Sequence, residues 1–407
     1  MKVLQVNCVY KKGSTGKITF DLHNGLLDNG IESVVCYGRG ELIREPGVYK
    51  TCSEWYSKLN NAISRITGIM YGGCYFSTNH LISIIKKEKP DIVHLQCING
   101  YFVNIYRLIN WLKVNHYKTV VTLHAEFMYT GGCGHSIDCE QWSSNAGCGR
   151  DKKCPRWRSE TRSLFRDRTS TMWAKMKKAF EGFDNILVTS VSPWLMERAK
   201  RSSILSDKRH MVVLNGLDTA IFHPYDTKIM REELGLTDKI VVFHATPFFS
   251  PVPGHFKGGE YICELARRMP DVSFLIAGRY LEGADIPKNI TLLGMISDQT
   301  LLAKYYSMSD ITVLTSKRET FSMVTAESLC CGTPVVGFLA GGPEHIALKK
   351  YSRFCEYGNV NALVSEIRSL YSMHLKIEDD ASETYSIQHM IEKYIQCYLD
   401  LCKGNVE

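Results

Sequence analysis

Lys317-Arg318-Glu319-Thr320-Phe321-Ser322-Met323-Val324-Thr325-Ala326-Glu327, followed by Cys331-Gly332-Thr333-Pro334-Val335-Val336, is the stretch that decides how the chain is read. Residues 311–314 ahead of it form a short apolar run of strand type, and residues 334–338 form another. Residues 322–331 between them have helical spacing. Strand, helix and strand in so few residues predict two parallel strands joined by a crossover helix. Glu319 falls just after the first strand, and Glu327 lies about two helical turns further on.

Working outward, the same alternation fills the chain. Short apolar runs at 3–10, 33–37, 91–96, 119–123 and 185–191 predict one set of strands. Runs at 211–214, 240–244, 272–277, 290–293, 311–314 and 334–338 predict a second. Helical patterns at 17–27, 259–268, 298–308 and 322–331 lie between them, and Pro193 opens another helix. Two successive sets predict two doubly wound α/β domains. The expected boundaries are 1–205 for the first, with an insert at 126–178, and 206–383 for the second, with one or two closing helices over 384–407.

An apolar content of 44% and a charged content of 22% exclude a disordered chain. The apolar start of the chain, residues 1–8, is short and is followed by Lys11 and Lys12, so it reads as a first strand and not as a signal peptide. No apolar run reaches the ~18 residues that span a bilayer. The sequence therefore reads as cytoplasmic, where its fifteen cysteines are expected as thiols. Cys36, Cys97 and Cys263 lie in apolar segments and read as buried small hydrophobes.

The chemistry converges on the quoted stretch. Backbone N–H groups at the start of its helix, near Phe321, Ser322 and Met323, favour an anion. Two carboxylate acceptors beside such a site suit a nucleotide sugar: one carboxylate for sugar hydroxyls, the other for ribose hydroxyls, the N–H groups for the diphosphate. The stretch resembles the E-x7-E motif of retaining glycosyltransferases with the GT-B fold, in the family called GT4 or glycosyltransferase group 1. The following Ala-Glu-Ser-Leu-x-x-Gly-x-Pro-Val-Val strengthens the resemblance.

The resemblance implies two Rossmann-like domains facing a central cleft, with no metal needed for catalysis. It implies that Lys257, in Lys257-Gly258-Gly259, meets the donor phosphates, although a solvated Lys at a helix start reads the same way. The family's Arg a few residues earlier is missing here, and His255 or backbone N–H groups are the local substitutes. Gly13 and Gly16 match the glycine-rich turn after the first strand, where the backbone can approach a ligand closely. Asn215-Gly216-Leu217-Asp218 with Phe222 resembles the element that enters the second domain. Glu344 in Gly341-Gly342-Pro343-Glu344 reads equally as a donor contact or a helix cap. His124, at the end of a strand, is placed by the resemblance against the donor sugar, and Glu126 is a weaker candidate for acceptor contact.

Roles follow from the same resemblance. Glu319 holds the donor sugar, Glu327 the ribose, and Lys257 with the helix start meets the leaving diphosphate. The acceptor is a glycan or lipid-linked sugar, in cell-surface polysaccharide synthesis (capsule, exopolysaccharide or O-antigen) at the inner face of the plasma membrane. The enzymatic alternative is a sugar-nucleotide epimerase or hydrolase of the same architecture. The non-enzymatic alternative is a module that binds anionic membrane.

Two features lie outside this reading. Cys133, Cys139, Cys148 and Cys154, spaced C-x5-C-x8-C-x5-C near His135, read as a structural zinc site, as packed free thiols, or as disulfides in an oxidising compartment. Residues 150–178 carry eleven Lys or Arg against three Asp or Glu, a net of +8, interleaved with Trp157, Leu164, Phe165, Met172, Trp173 and Met176. That pattern suits an anionic membrane surface or a solvated face packed by its apolar side, and nucleic acid ranks last because no recognition motif accompanies it.

Overall fold

The computed structural model describes residues 1–375, 377 and 380–403. It divides into two compact units, Met1–Leu214 joined by the chain from Met390 onward, and Asn215–His389.

The first unit holds seven parallel strands: β1 (Lys2–Asn7), β2 (Glu32–Tyr37), β3 (Val48–Lys50), β4 (Ile92–Leu95), β5 (Lys118–Leu123), β6 (Ile186–Ser190) and β7 (Arg209–Val212). Their order is β3-β2-β1-β4-β5-β6-β7. The order reverses direction between β1 and β4, the kind of point where open α/β sheets bind ligands beyond their carboxyl ends. Central strands are buried on both faces, so they read as continuous apolar runs without alternation.

The second unit holds β8 (Ile240–Phe249), β9 (Val272–Tyr280), β10 (Ile290–Gly294), β11 (Ile311–Leu314), β12 (Val335–Phe338) and β13 (Ser352–Cys355). The order is β10-β9-β8-β11-β12-β13, again all parallel. Val242, Phe274 and Val313 from its strands pack with Ile262 and Leu265 of the helix Gly259–Arg268 and Leu363 of the helix Val360–Ser372. Each such side chain contributes roughly 1.5–3 kcal/mol by leaving water.

The structure differs from the sequence expectation at the strand near 211. That strand is β7, and it pairs with β6 in the first sheet, so the first unit runs on to Leu214. Two edge strands, β3 and β13, carried too little pattern in four residues or fewer to be predicted. The closing segment forms the helices Asp380–Tyr385 and Ile387–Lys403. From Met390 on it belongs to the first unit, where Tyr398 donates its hydroxyl to or accepts from His94 Nδ1 (2.7 Å), and Tyr394 meets Thr122 (3.0 Å). Gly25 makes this packing possible: a Cβ there would lie 2.1 Å from Ile391 Cδ1.

Candidate functional site

In the second unit, the loop after β8 carries Lys257 into the helix Gly259–Arg268. It is tied to the residues following β11. Thr315 Oγ1 donates to the Lys257 carbonyl (3.0 Å), and Lys317 N–H donates to the Phe256 carbonyl (3.0 Å). Gly258 has φ +67°, and a Cβ there would sit 2.2 Å from the Thr315 carbonyl oxygen, so only glycine lets the two loops meet. This seam brings Lys257 Nζ to 2.5 Å from Glu319 Oε1.

Glu319 is itself fixed by its backbone. Its N–H donates to the Ala340 carbonyl (3.0 Å), and Gly342 N–H donates to its carbonyl (2.8 Å). The Lys257 and Glu319 side chains keep 26% and 22% of their exposure, so both are open to a ligand.

The helix Met323–Cys330 starts two residues after Phe321, which is buried. Its N-cap, Ser322, has φ +87°, and its hydroxyl accepts from Thr325 N–H (3.3 Å). A left-handed conformation at a non-glycine residue costs about 1–3 kcal/mol and persists only where the surroundings enforce it. Glu327, on the second turn, receives the Tyr306 hydroxyl at 2.9 Å. Burial outweighs that bond and pushes the Glu327 carboxyl up to about 7. No cation is paired with it among the described residues, so it is an acceptor with capacity left.

Glu344 is a cap. It accepts from Gly341 N–H (2.7 Å) and Ala340 N–H (3.1 Å), and so holds the turn against which Glu319 is braced. Asn215 to Phe222 is likewise a turn: Phe222 N–H and Ala220 N–H bond to Asp218, and Leu217 N–H donates to the Tyr385 carbonyl.

In the first unit, Gly13 opens the helix Gly13–Asp28 directly after β1 with φ +68° and open space around it. Gly16 is buried on that helix, and a Cβ there would lie 3.1 Å from Val9. His124 follows β5, and its Nε2 lies 3.4 Å from Gln96 Oε1, which follows β4. Gln96 in turn donates to Gln5 on β1 (2.7 Å). Burial lowers His124 to about 4, so its ring is neutral at pH 7. Glu126 is no acceptor contact. It is fully buried and takes Arg198 Nε (2.7 Å), the Ser136 hydroxyl (3.0 Å) and the Tyr129 hydroxyl (3.0 Å), which fastens the insert to the helix Pro193–Arg201.

The four cysteines, open in the sequence to a zinc site, thiols or disulfides, stand as thiols. Among the described residues, no group of three or more His, Cys, Asp or Glu is placed to hold a metal. The Cys133 and Cys154 thiols bond each other, which lowers Cys154 and raises Cys133, while Cys148 Sγ accepts from Gly131 N–H (3.2 Å). All fifteen cysteines are thiols, among them Cys139, Cys36, Cys97 and Cys263. The basic stretch is divided between its two readings. Trp157, Met172, Trp173 and Met176 are buried, and only Leu164 and Phe165 of its apolar residues are exposed. Its helix, Thr169–Phe180, packs by that apolar side, with lysines on the other face. Among the described residues no helix is long and apolar enough to cross a membrane.

Tyr306 and the Gln5–Gln96 pair are site neighbours that no sequence signal marked. His244 was seen only as a strand residue. It is buried beside Lys257, is lowered to about 4 by burial, and bonds the Val313 carbonyl through Nδ1 (3.0 Å).

Residues 248–385, which carry Lys257, Glu319 and Glu327, match the family model of glycosyl transferases group 1. That segment is of group 1 type, and the chain is a glycosyltransferase. It is 23% identical, over 98% of its length and 100% of the relative's, to the putative colanic acid biosynthesis glycosyl transferase WcaC of Escherichia coli K12. The glycosyltransferase also superposes on sucrose-phosphate synthase (tll1590) from Thermosynechococcus elongatus, with TM-score 0.67 and 16% identity over all of both chains. Anabaena Alr3699/HepE in complex with UDP-glucose gives TM-score 0.63 and 15% identity, over 98% of this chain and 100% of that one. The fold of the glycosyltransferase is thus GT-B, with two Rossmann-like domains.

Proposed function

We propose that the glycosyltransferase moves a sugar from a nucleotide-sugar donor to a glycan or lipid-linked acceptor with retention at the anomeric carbon, in the assembly of a cell-surface polysaccharide. The observation that carries this is the Lys257–Glu319 pair set beside the helix that bears Glu327. A cation, an anion-favouring helix start and two carboxylates within one seam of the second unit match the parts of a diphosphate-linked sugar. WcaC, by its name a colanic acid glycosyl transferase, supports the polysaccharide role, and the UDP-glucose complex of the Anabaena protein supports the donor class.

In this reading, the bond from the anomeric carbon to the diphosphate oxygen breaks with its electron pair on the oxygen. Lys257 Nζ and the N–H groups near Phe321, Ser322 and Met323 meet that charge. The acceptor hydroxyl attacks from the face the diphosphate leaves, and its proton passes to the departing phosphate oxygen. Glu319 exchanges its bond to Lys257 for the sugar hydroxyls, and Glu327 accepts the ribose hydroxyls. Within the first unit, His124 is neutral at pH 7 and the Gly13–Gly16 turn leaves the backbone open to a ligand. No metal is needed in this scheme.

Thermal shift and donor hydrolysis over a panel of nucleotide sugars, wild type beside Glu327→Ala, test it. One nucleotide class should stabilise the wild type by mass action and leave the variant unmoved. NMR of the transferred linkage should give the donor's anomer. Inversion, or free sugar released at the rate of transfer, would instead point to another mechanism or to a hydrolase.

A further inference from the structure

The helix Glu54–Thr67 buries its polar side and exposes its apolar one. Its inward residues are Ser57, Asn60 and Ser64. Each is bonded: Ser57 Oγ donates to the Gly100 carbonyl (3.0 Å), Cys74 N–H donates to Asn60 Oδ1 (2.7 Å), and Ser64 Oγ donates to the Asn61 carbonyl (2.7 Å). Outward, at helical spacing, stand Trp55 (72% exposed), Leu59, Ile63 and Ile66 (58%). Two further segments extend this ridge. Phe76, 78% exposed, has its ring 6.0 Å from that of Tyr56. Leu164 N–H donates to the Arg65 carbonyl (2.8 Å), which sets the exposed Leu164-Phe165 pair against the helix end. An exposed apolar ridge built from three segments marks a docking surface.

Its surroundings say what docks there. A cavity of about 370 Å³ beside Leu59 and Ile63 is lined also by Lys175. It shares Gly72, Tyr75 and Lys175 with a second cavity of about 410 Å³, which adds Arg107 and Lys178. Arg65 and Arg162 both act on the Tyr101 phenol that borders the first cavity. Among the described residues none of these five cations is in an ion pair. Of the acids close to them in sequence, Glu54 pairs with Arg39, Glu160 pairs with Arg156, and Asp167 accepts the Cys154 and Thr169 N–H groups.

We infer that this face of the first unit docks on an anionic lipid bilayer. Trp55, Ile63, Ile66, Phe76 and Phe165 enter the headgroup–acyl boundary, and Arg65, Arg107, Arg162, Lys175 and Lys178 meet the lipid phosphates. A protein partner would have to supply acids for these cations as well as an apolar groove, whereas an anionic bilayer supplies both along one plane. The inference does not depend on the proposed reaction, because its readout is binding alone.

Sedimentation of the full chain with phosphatidylcholine vesicles, with and without phosphatidylglycerol, tests it. The chain pellets with the anionic vesicles at low salt and is released as salt rises. Lys175→Gln and Arg65→Gln each lower the partition coefficient about fivefold. The double variant Trp55→Ser/Ile63→Ser abolishes retention with its circular dichroism and melting unchanged, since both side chains are exposed. Brominated phosphatidylcholine in the anionic vesicles quenches tryptophan emission in the wild type, and Trp55→Phe removes that quenching. No pelleting with anionic vesicles at low salt overturns the inference, as does retention unaffected by the double variant. A concentration-dependent dimer dispersed by Ile63→Ser assigns the ridge to a second copy of the chain and overturns it equally.

Discussion

Glu327→Gln isolates the most unusual group in the candidate site. In the open chain the carboxyl titrates near 4.5, and in the fold burial carries it to about 7. The folded state therefore holds a proton that the unfolded chain gives up between those values. Stability falls as pH rises through that window, and the cost is complete above pH 7 and absent below about 4.5. At about 1.4 kcal/mol per pH unit, the cost reaches about 3 kcal/mol. Glutamine keeps the shape, still accepts the Tyr306 hydroxyl and carries no charge to desolvate. Unfolding of the second unit, followed by calorimetry from pH 4 to 8, should therefore match wild type at pH 4.5 and exceed it by about 3 kcal/mol at pH 8, a rise of roughly 6–12 °C for a unit of this size. The gain should come with a loss. An acceptor for hydroxyl donors that has lost its charge forfeits about 1.5–3 kcal/mol, so nucleotide affinity at pH 8 should drop about ten- to hundredfold. A stability difference that is the same at every pH, or a variant less stable than wild type at pH 8, refutes the reasoning.

Other outcomes are expected from the same geometry. Lys257→Ala should lower kcat about 10²–10³-fold, while unfolding shifts by less than about 1 kcal/mol because the pair with Glu319 is partly exposed; equal loss of both would make Lys257 a structural residue. Arg198→Met should destabilise the first unit by about 3–5 kcal/mol in urea, because it leaves the fully buried Glu126 carboxylate without its cation; a change below 1 kcal/mol would contradict the packing of the insert. Burial holds His94 down to about 3, against 6.5 in the open chain, so its neutral form contributes stability above pH 6.5 that is lost as pH falls toward 3. His94→Gln should flatten that acid limb of the first unit's unfolding curve, and an unchanged limb would place the acid sensitivity elsewhere.

The sequence by itself determined the two α/β sets, and its motif resemblance singled out Lys257, Glu319 and Glu327 as candidates. Strands buried on both faces of a parallel sheet are continuously apolar, so they leave a local pattern. Helix Gly259–Arg268 was legible for the same reason, its apolar stripe being strong. What depended on distant partners was not legible. Strand β7 belongs to the first sheet because β6 offers it an edge, and nothing within residues 209–212 states that. Glu126 looked available until Arg198, far along the chain, came to rest on it. Tyr306 meets Glu327 from another helix. The apolar side of helix Thr169–Phe180 and that of helix Glu54–Thr67 follow the same rule of spacing, yet one is buried and the other faces out. Periodicity fixes that a helix has an apolar side; only the tertiary structure decides whether the chain itself covers it.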